Sequence, residues 1–193
     1  LLKDKRVGFE EDSLDVATYL LLAESCELQK ASGLLRLWRE SKLGSKDLAY
    51  FVLTASASKY AVEKTMAYAA DKVRQQENLT EADLYRLYQD LVQKFVREEQ
   101  IPVPIEIYFT NLHAGIRSPY PAVPSDYSVN RDGKTYKMDA GLMVLDGPRL
   151  MHACSDIART ICFTPEGQEV YDYMQKSVHS TIAKIKPGQQ FKD

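Results

Sequence analysis

The feature that most constrains the fold is a change in hydrophobic periodicity at residues 101–104, where the sequence reads IPVP. Before this point, residues 46–76 and 79–100 repeat apolar residues at helical spacing, which indicates two amphipathic helices. After it, the segments IEIYFTN and KTYKMDAGLMVL are rich in β-formers and indicate strands. A further helix is predicted from Thr164, with Pro165 at its first position. This order of helices, sheet and helix predicts an α+β domain.

The first of these helices is long, and we expect it to be broken near Ser56 and Ser58. The second has Thr80 as its predicted N-cap, with Glu81 and Asp83 in the first turn, where negative charge suits the helix dipole. We therefore expect the helix that follows Thr80 to be well defined by its own sequence.

The composition narrows the class of protein and of partner. With 25 basic and 27 acidic residues in 193, the formal charge is −2, which gives no reason to expect nucleic acid or an anionic membrane as the partner. A peptide or another small substrate fits better. The sequence contains no run of about 18 apolar residues that would span a membrane.

The cysteines bear on the cellular compartment. Their number is odd, and no CxxC spacing occurs, which argues against a disulfide framework and a structural zinc site. We therefore predict a reducing, cytoplasmic setting. The three are Cys26, Cys154 and Cys162.

The chain divides into two predicted regions. Residues 1–45 contain a short strand, a helix and most of a charged connector, GLLRLWRESKLGSKDL, whereas residues 46–193 carry the α+β pattern. The sequence begins at Leu1 without an initiator Met, and we therefore expect it to be part of a longer protein.

Two acids occupy the arms of a predicted hairpin. In DAGLMVLDGPRLMHACSDIART, Asp139 and Asp156 are placed symmetrically about the point between Gly147 and Pro148, inside the turn signal DGPR. If they face each other in an antiparallel pair, their Cβ atoms lie about 4.5 to 5.5 Å apart. The sequence therefore predicts two carboxylates on one face of a sheet.

Facing carboxylates repel unless a proton or a cation lies between them. A pair of divalent cations is one answer, since carboxylates can bridge two ions that activate water for hydrolysis. Gly141 removes one neighbouring side chain on that face. Two other interpretations stay open at this point: a surface hairpin with two solvated acids, or a pair neutralised by Lys137, one same-face step before Asp139.

Several motifs around the hairpin occur in the order found in one known protein family. KMDAG, CSDIART and KIKPG resemble the pita-bread metallopeptidase family, which includes methionine aminopeptidase, Xaa-Pro aminopeptidase, prolidase and creatinase. RVGFEED and GLLRLWRESKLGSKDL resemble the last strand of the amino-terminal domain and the linker of the Xaa-Pro aminopeptidase and prolidase branch. AVEKTMAYAADKV, LTEADL and NRDGKTYKMDAG resemble the opening helices and the strand that follows, so the likeness covers most of the chain.

The resemblance implies that residues 46–193 are the first half of a pita-bread catalytic domain and that residues 1–45 end an α/β amino-terminal domain. It implies two divalent metal ions, manganese, cobalt or zinc, with Asp139 chelating one ion and Asp156 bridging both. The implied reaction is metal-assisted hydrolysis of the peptide bond before a proline, by an aminopeptidase or a dipeptidase. Members of this branch are commonly dimers, so a homodimer is also expected.

The chain departs from the family pattern in three ways. The family completes its metal site with one His and two Glu beyond the second motif, and these 193 residues end earlier, so we expect this segment alone to be inactive. Pro121 stands where the branch has a histidine that contacts substrate, and His113 is the candidate to take that catalytic role. Lys137 stands where an apolar residue is usual, in a hairpin longer than that of the family.

An alternative function belongs to a different class. The same fold serves in creatinase for metal-free hydrolysis of a C–N bond, and in some members as a non-catalytic binding module such as a histone-chaperone domain. Members of these kinds usually lose the aspartate pair. Because Asp139 and Asp156 are both present, the sequence favours the metal-dependent hydrolase.

Overall fold

The computed structural model describes residues 2–41, 44–120, 122–130, 134–146 and 150–188. Two predictions fall outside these residues, namely the substitution at Pro121 and the turn at Gly147 and Pro148. The chain forms two compact units, residues 1–49 and 50–193. The predicted domain boundary at residues 45 and 46 stays a prediction.

The first unit contains a βαβ element. Strand β1 (Arg6–Phe9) pairs in parallel with β2 (Glu27–Lys30), and helix α1 (Val16–Ala23) connects them. A second helix, α2 (Leu34–Ser41), follows. Parallel strands joined by a helix are the elementary unit of α/β domains, in agreement with the prediction for this region.

Two helices open the second unit. Helix α3 (Ser45–Arg74) begins at the end of the first unit and runs without interruption, so the predicted break near Ser56 and Ser58 is wrong. Small side chains at buried positions explain why the break is absent. Ala57, Ser58 and Ala61 are fully buried, and such residues let the helix pack closely against its neighbours. Helix α4 (Glu81–Glu98) follows.

An antiparallel sheet is centred on one long strand. Strand β4 (Thr135–Asp146) pairs with β3 (Ile105–Ala114) along one edge. Along its other edge it pairs first with β6 (Ile157–Cys162) and then with β5 (Leu150–Cys154). Helix α5 (Pro165–Lys184) completes the unit, with Thr164 as its N-cap as predicted.

The hydrophobic core lies on one face of β4. Alternate residues of this strand are fully buried and pack with residues of both α3 and α4. The even-numbered residues of β4 thus face the helices, and the odd-numbered residues face the opposite side of the sheet. This arrangement confirms the predicted α+β class. The buried set from β4 is Tyr136, Met138, Ala140, Leu142 and Val144.

Helix α4 begins with a capping box, as the sequence predicts for Thr80. The Thr80 hydroxyl accepts a hydrogen bond from the Asp83 amide at 3.1 Å, and the Asp83 carboxylate accepts one from the Thr80 amide at 3.1 Å. Hydrogen bonds from the Thr80 hydroxyl and amide, with a smaller contribution from Arg86, hold the pKa of Asp83 below its usual range. Two backbone donors that the helix leaves open are thereby satisfied.

We expect Thr80→Ala to lower the free energy of unfolding by about 1 kcal/mol, the usual loss on removing a hydroxyl cap. Because the pKa of Asp83 is lowered in the folded state, its stabilising contribution is present above the ordinary aspartate pKa. That contribution is lost as the pH falls through the lowered value. Urea denaturation at neutral and at acidic pH measures both effects.

Thr181→Ala is the matched control. The Thr181 hydroxyl donates to the Ser177 carbonyl at 2.9 Å, within the same helix, and does not cap the helix. It should leave stability unchanged or slightly raised, because alanine is a better helix former. Equal losses from the two variants would contradict the role assigned to the cap.

Candidate metal site

The first odd-numbered residues of β4 form a polar row on the face away from the core, namely Thr135, Lys137 and Asp139. Asp139 pairs with Asn111 of β3 on one side and with Ala158 of β6 on the other. Lys137, one same-face step earlier, pairs with His113. The sheet therefore brings the first predicted metal ligand together with an amide and a lysine.

Asp139 and Asp156 are not directly opposite each other, and that part of the hairpin prediction is wrong. The partner of Asp139 is Ala158, and Asp156 lies between β5 and β6. A register shift in the β4–β5 ladder between Val144 and Leu145 moves the pairing away from the simple symmetric turn. Ser155 continues the ladder across the gap, with its amide donating to the Leu142 carbonyl at 2.8 Å.

The two carboxyl groups nevertheless meet. The pKa of Asp139 is raised, first by partial burial and then by the nearby charge of Asp156. Asp156 is exposed and Asp139 is half-buried, so the pair opens to one side of the sheet. Carboxylates held this close carry a repulsion that a cation would relieve.

Lys137 does not neutralise the pair. Its charge acts to lower the pKa of Asp139, but this effect is the smallest of the causes, and the net change is upward. The ammonium group instead donates a hydrogen bond to the carbonyl oxygen of Ser118 at 2.7 Å. The Lys137 ammonium is thus directed to the loop that contains Ser118. The repulsion between the two acids therefore remains.

Gly141 is required by close approach. A Cβ atom at this position would collide with the rings of Tyr108 and Phe109, and it would lie 2.6 Å from the Ser155 carbonyl oxygen. The glycine of the Asp-x-Gly motif therefore lets two aromatic rings and the segment that carries Asp156 close onto β4. The sequence suggested a missing side chain here, and the structure shows what fills the space.

Tyr108 is a residue of the site that sequence reasoning missed. Its hydroxyl donates to the Ser155 carbonyl at 3.2 Å, and burial, followed by the charges of Cys154 and Asp156, raises its pKa to about 12. A register shift in β3 between Ile107 and Phe109 turns this part of the strand toward the two acids. Nothing in the alternation of IEIYFTN signals that shift.

His113, the predicted catalytic residue, lies under a loop. Its side chain is fully buried, with Nε2 3.0 Å from the carbonyl oxygen of Ala122 and 3.2 Å from the amide nitrogen of the same residue. Its Nδ1 is 3.4 Å from a carboxylate oxygen of Glu81. The catalytic role of His113 stays a prediction, and it requires the loop to uncover the ring.

The donor set is suited to divalent cations but is small. Carboxylate oxygens are common ligands of such ions, and two of them converge here beside a glycine that leaves room. Within the described ranges, no group of three or more His, Cys, Asp and Glu side chains is placed to hold a metal. Asp139 and Asp156 thus fit as part of a ligand set.

The sequence contains no apolar run long enough to span a membrane, and the helices of the structure test that expectation. In the part of the chain that the structure describes, none of the helices combines the length and apolar character that crossing a bilayer requires.

The second unit thus has helices on one face of an antiparallel sheet and two neighbouring carboxylates on the other. Residues 45–193 match the model of metallopeptidase family M24, and the chain belongs to this family. The resemblance noted in the sequence is thereby confirmed. Among curated proteins, none matches the chain significantly.

Solved structures with the same fold include two kinds of protein. Prolidase from Pyrococcus furiosus is 19% identical, with a TM-score of 0.51, and the match covers 89% of this chain and 46% of that one. The N-terminal domain of the FACT complex subunit SPT16 from Eremothecium gossypii is 13% identical, with a TM-score of 0.55, covering 94% and 59%. The chain therefore spans about half the length of these structures.

A third structure is more distant. X-prolyl aminopeptidase from Caenorhabditis elegans, described as a cytosolic enzyme with a di-nuclear active site, is 13% identical, with a TM-score of 0.44. The match covers 82% of this chain and 32% of that one, and a likeness at this level carries no argument. The first two structures establish the fold alone, because their identities are low.

We expect Gly141→Ala to destabilise the protein by about 1 to 3 kcal/mol, the range for overpacking a filled site. The added methyl group meets two rings and a backbone carbonyl, which have little room to move. Gly167→Ala is the control, since its Cβ would meet only the Thr164 hydroxyl, at 3.2 Å, and a cysteine side chain. Similar unfolding midpoints for the two variants would refute the packing role of Gly141.

Proposed function

We propose that this chain is part of a metal-dependent hydrolase that cleaves Xaa-Pro peptide bonds, as an aminopeptidase or a dipeptidase. Membership of metallopeptidase family M24 supports a peptidase, and the fold shared with prolidase agrees with it. The proposal concerns the full-length protein, because two carboxylates do not complete a site for two ions.

The observation that carries the proposal is that Asp139 and Asp156 lie close enough on one face of the sheet for their charges to interact. Burial of Asp139 first, and then the charge of Asp156, raise the pKa of Asp139, and the Lys137 ammonium does not cancel these effects. If the only role of the two carboxylates were to stabilise the fold, we would expect a cationic side chain of the protein to pair with them. The unfavourable pair is therefore better explained by a ligand with positive charge.

In the proposed site, Asp139 and Asp156 would hold the cations, manganese, cobalt or zinc, together with ligands from outside the described residues. Such ions supply Lewis-acid polarisation of the amide and lower the pKa of water. The protein's own part is to fix the two carboxylates. Gly141 and Ser155 do so by bringing the segment with Asp156 against β4.

The remaining parts of the proposal concern the setting. We place the enzyme in the cytoplasm on the basis of its cysteine pattern; Cys26, Cys154 and Cys162 are free. A homodimer is proposed from the resemblance to the proline-specific branch. The expected partner is a peptide or small amide substrate, with neither nucleic acid nor a membrane involved.

The test is hydrolysis of Ala-Pro and Ala-Pro-Ala by the full-length protein with each metal, against Ala-Ala-Ala. We expect cleavage before proline, and a loss of at least about 100-fold in kcat/KM for Asp139→Asn and Asp156→Asn, equivalent to a few kcal/mol of transition-state stabilisation. Asp172→Asn, an exposed acid on α5, is the control and should retain activity. Activity that is unaffected by loss of both acids would sink the proposal.

A second candidate is a binding module without catalysis, and the fold shared with the SPT16 domain favours it. It accounts for the lysine at position 137 and the proline at position 121, where the peptidase pattern has other residues. It does not account for the retained aspartate pair. Absence of hydrolysis together with absence of cation binding would favour this candidate.

The metal-free, creatinase-like amidinohydrolase is the remaining alternative. It predicts hydrolysis of a small amidine substrate such as creatine that survives exhaustive treatment with a chelator. The metal-dependent proposal predicts the opposite, a loss of activity on chelation that returns on addition of one of the three cations.

A further inference from the structure

A fully buried carboxylate lies at the start of α4. Both oxygens of Glu81 accept hydrogen bonds: Oε1 from the Ala114 amide at 3.1 Å, and Oε2 from the Ser125 amide and hydroxyl, each at 3.2 Å. A buried carboxylate is costly unless it is paired and hydrogen-bonded, and these contacts offset that cost. Both donor residues, Ala114 and Ser125, lie outside α4.

Arg117 supplies the countercharge. Its Nε lies 3.1 Å from each of the two Glu81 oxygens, and its terminal nitrogen donates to the Val123 carbonyl at 3.3 Å. The guanidinium also lies over the ring of Tyr127, 5.7 Å from its centroid. One ion pair therefore ties the short 3-10 turn (Gly115–Arg117) and the segment after it to α4.

Residues 115–128, of which Pro121 lies outside the description, form what we call the anchored loop. His113 contacts its backbone at Ala122, and Lys137 donates to its Ser118 carbonyl at 2.7 Å. Because Lys137 is one same-face step from Asp139, the anchored loop lies beside the candidate metal site. Contacts from three separate elements, α4, β3 and β4, therefore hold the loop.

The anchored loop exposes apolar side chains. Ile116 is 72% exposed, Tyr120 67% and Val123 80%. Polar contacts hold the neighbouring residues Arg117, Ser118 and Ala122. Loop residues that leave large apolar groups in water on a rigid base are typical of recognition surfaces. An apolar side chain of a peptide is the ligand chemistry that they match.

We propose that Glu81 is a positioning residue that, through Arg117 and Ser125, holds the anchored loop as a fixed apolar wall for the peptide substrate. This inference rests on the proposed function in taking the face of Asp139 as the place where substrate binds. Glu81 does not touch substrate. Its effect is transmitted by the loop.

Hydrogen exchange on the full-length protein, followed by mass spectrometry, tests the anchoring directly. In Glu81→Ala, peptides that contain the amides of Ala114 and Ser125 should exchange about tenfold faster or more, because each loses a charge-assisted bond. The last turns of α4, residues 91–98, should be unchanged. Faster exchange across all of the helices and the sheet, or no change in the loop, would overturn the proposal.

Two further variants keep the test decisive. Glu81→Gln preserves the size of the side chain and loses the charge that binds Arg117, so the loop should loosen even if the alanine variant does not fold. Asp83→Asn removes the exposed capping partner of the same helix and makes no contact with the anchored loop in the described structure. It should leave loop exchange within about twofold of the wild type.

Kinetics separate positioning from general loss of structure. With Leu-Pro as substrate, Glu81→Gln should raise KM by about tenfold and leave kcat within about twofold, because a loosened wall weakens binding and not the chemical step. An unchanged KM with a faster-exchanging loop would refute the role toward substrate. If the wild type hydrolyses no peptide, the proposed function fails separately, and the exchange comparison still decides whether Glu81 anchors the loop.

Discussion

The whole of the second unit depends on the two faces of β4 having opposite character. One face buries Tyr136, Met138 and Leu142 against the helices, and this burial fixes which way the strand is turned. The register of the strand then determines that Asp139 and Gly141 face away from the core. A slip of one residue would bury the acid and expose the core residues, so the position of the site is a direct consequence of packing.

The same strand links the candidate site to the loop beside it. Lys137 reaches the Ser118 carbonyl, and the partner of Lys137 across the ladder is His113, which contacts the same loop. The anchored loop is also attached to Glu81 of α4, through both Arg117 and Ser125. The candidate site therefore has a fixed surrounding on the side of β3.

The sequence predicts the parts of this structure that local patterns determine. The cap at Thr80 and the start of α5 follow from side chains within a few residues, and the helices follow from their periodicity. The interruption expected near Ser58 is absent, because burial of Ser58 beside Ala57 and Ala61 outweighs the weaker helix propensity of serine. The face on which Asp139 lies was predictable, since polar and apolar residues alternate from Thr135 to Ala140.

Long-range details were not predictable, because they depend on irregularities in strand pairing. The pairing of Asp146 with Leu150 is already one residue away from the predicted register, and the shift between Val144 and Leu145 adds a second residue, so the partner of Asp139 is Ala158 and not Asp156. The shift between Ile107 and Phe109 brings Tyr108 to the site. Glu81 gave only the signal of an acid in a first helical turn. Its burial beneath the loop is visible only in three dimensions.

The central claim is that Asp139 and Asp156 bind cations, and calorimetric titration of the full-length protein with manganese tests it most directly. We expect two binding events in the wild type and a loss of at least about 100-fold in affinity for Asp156→Asn, since removal of a ligand should cost at least as much as removal of an outer-shell partner. Asp172→Asn should bind as the wild type does. Equal manganese binding by the wild type and Asp156→Asn, or no binding by either, would contradict the account.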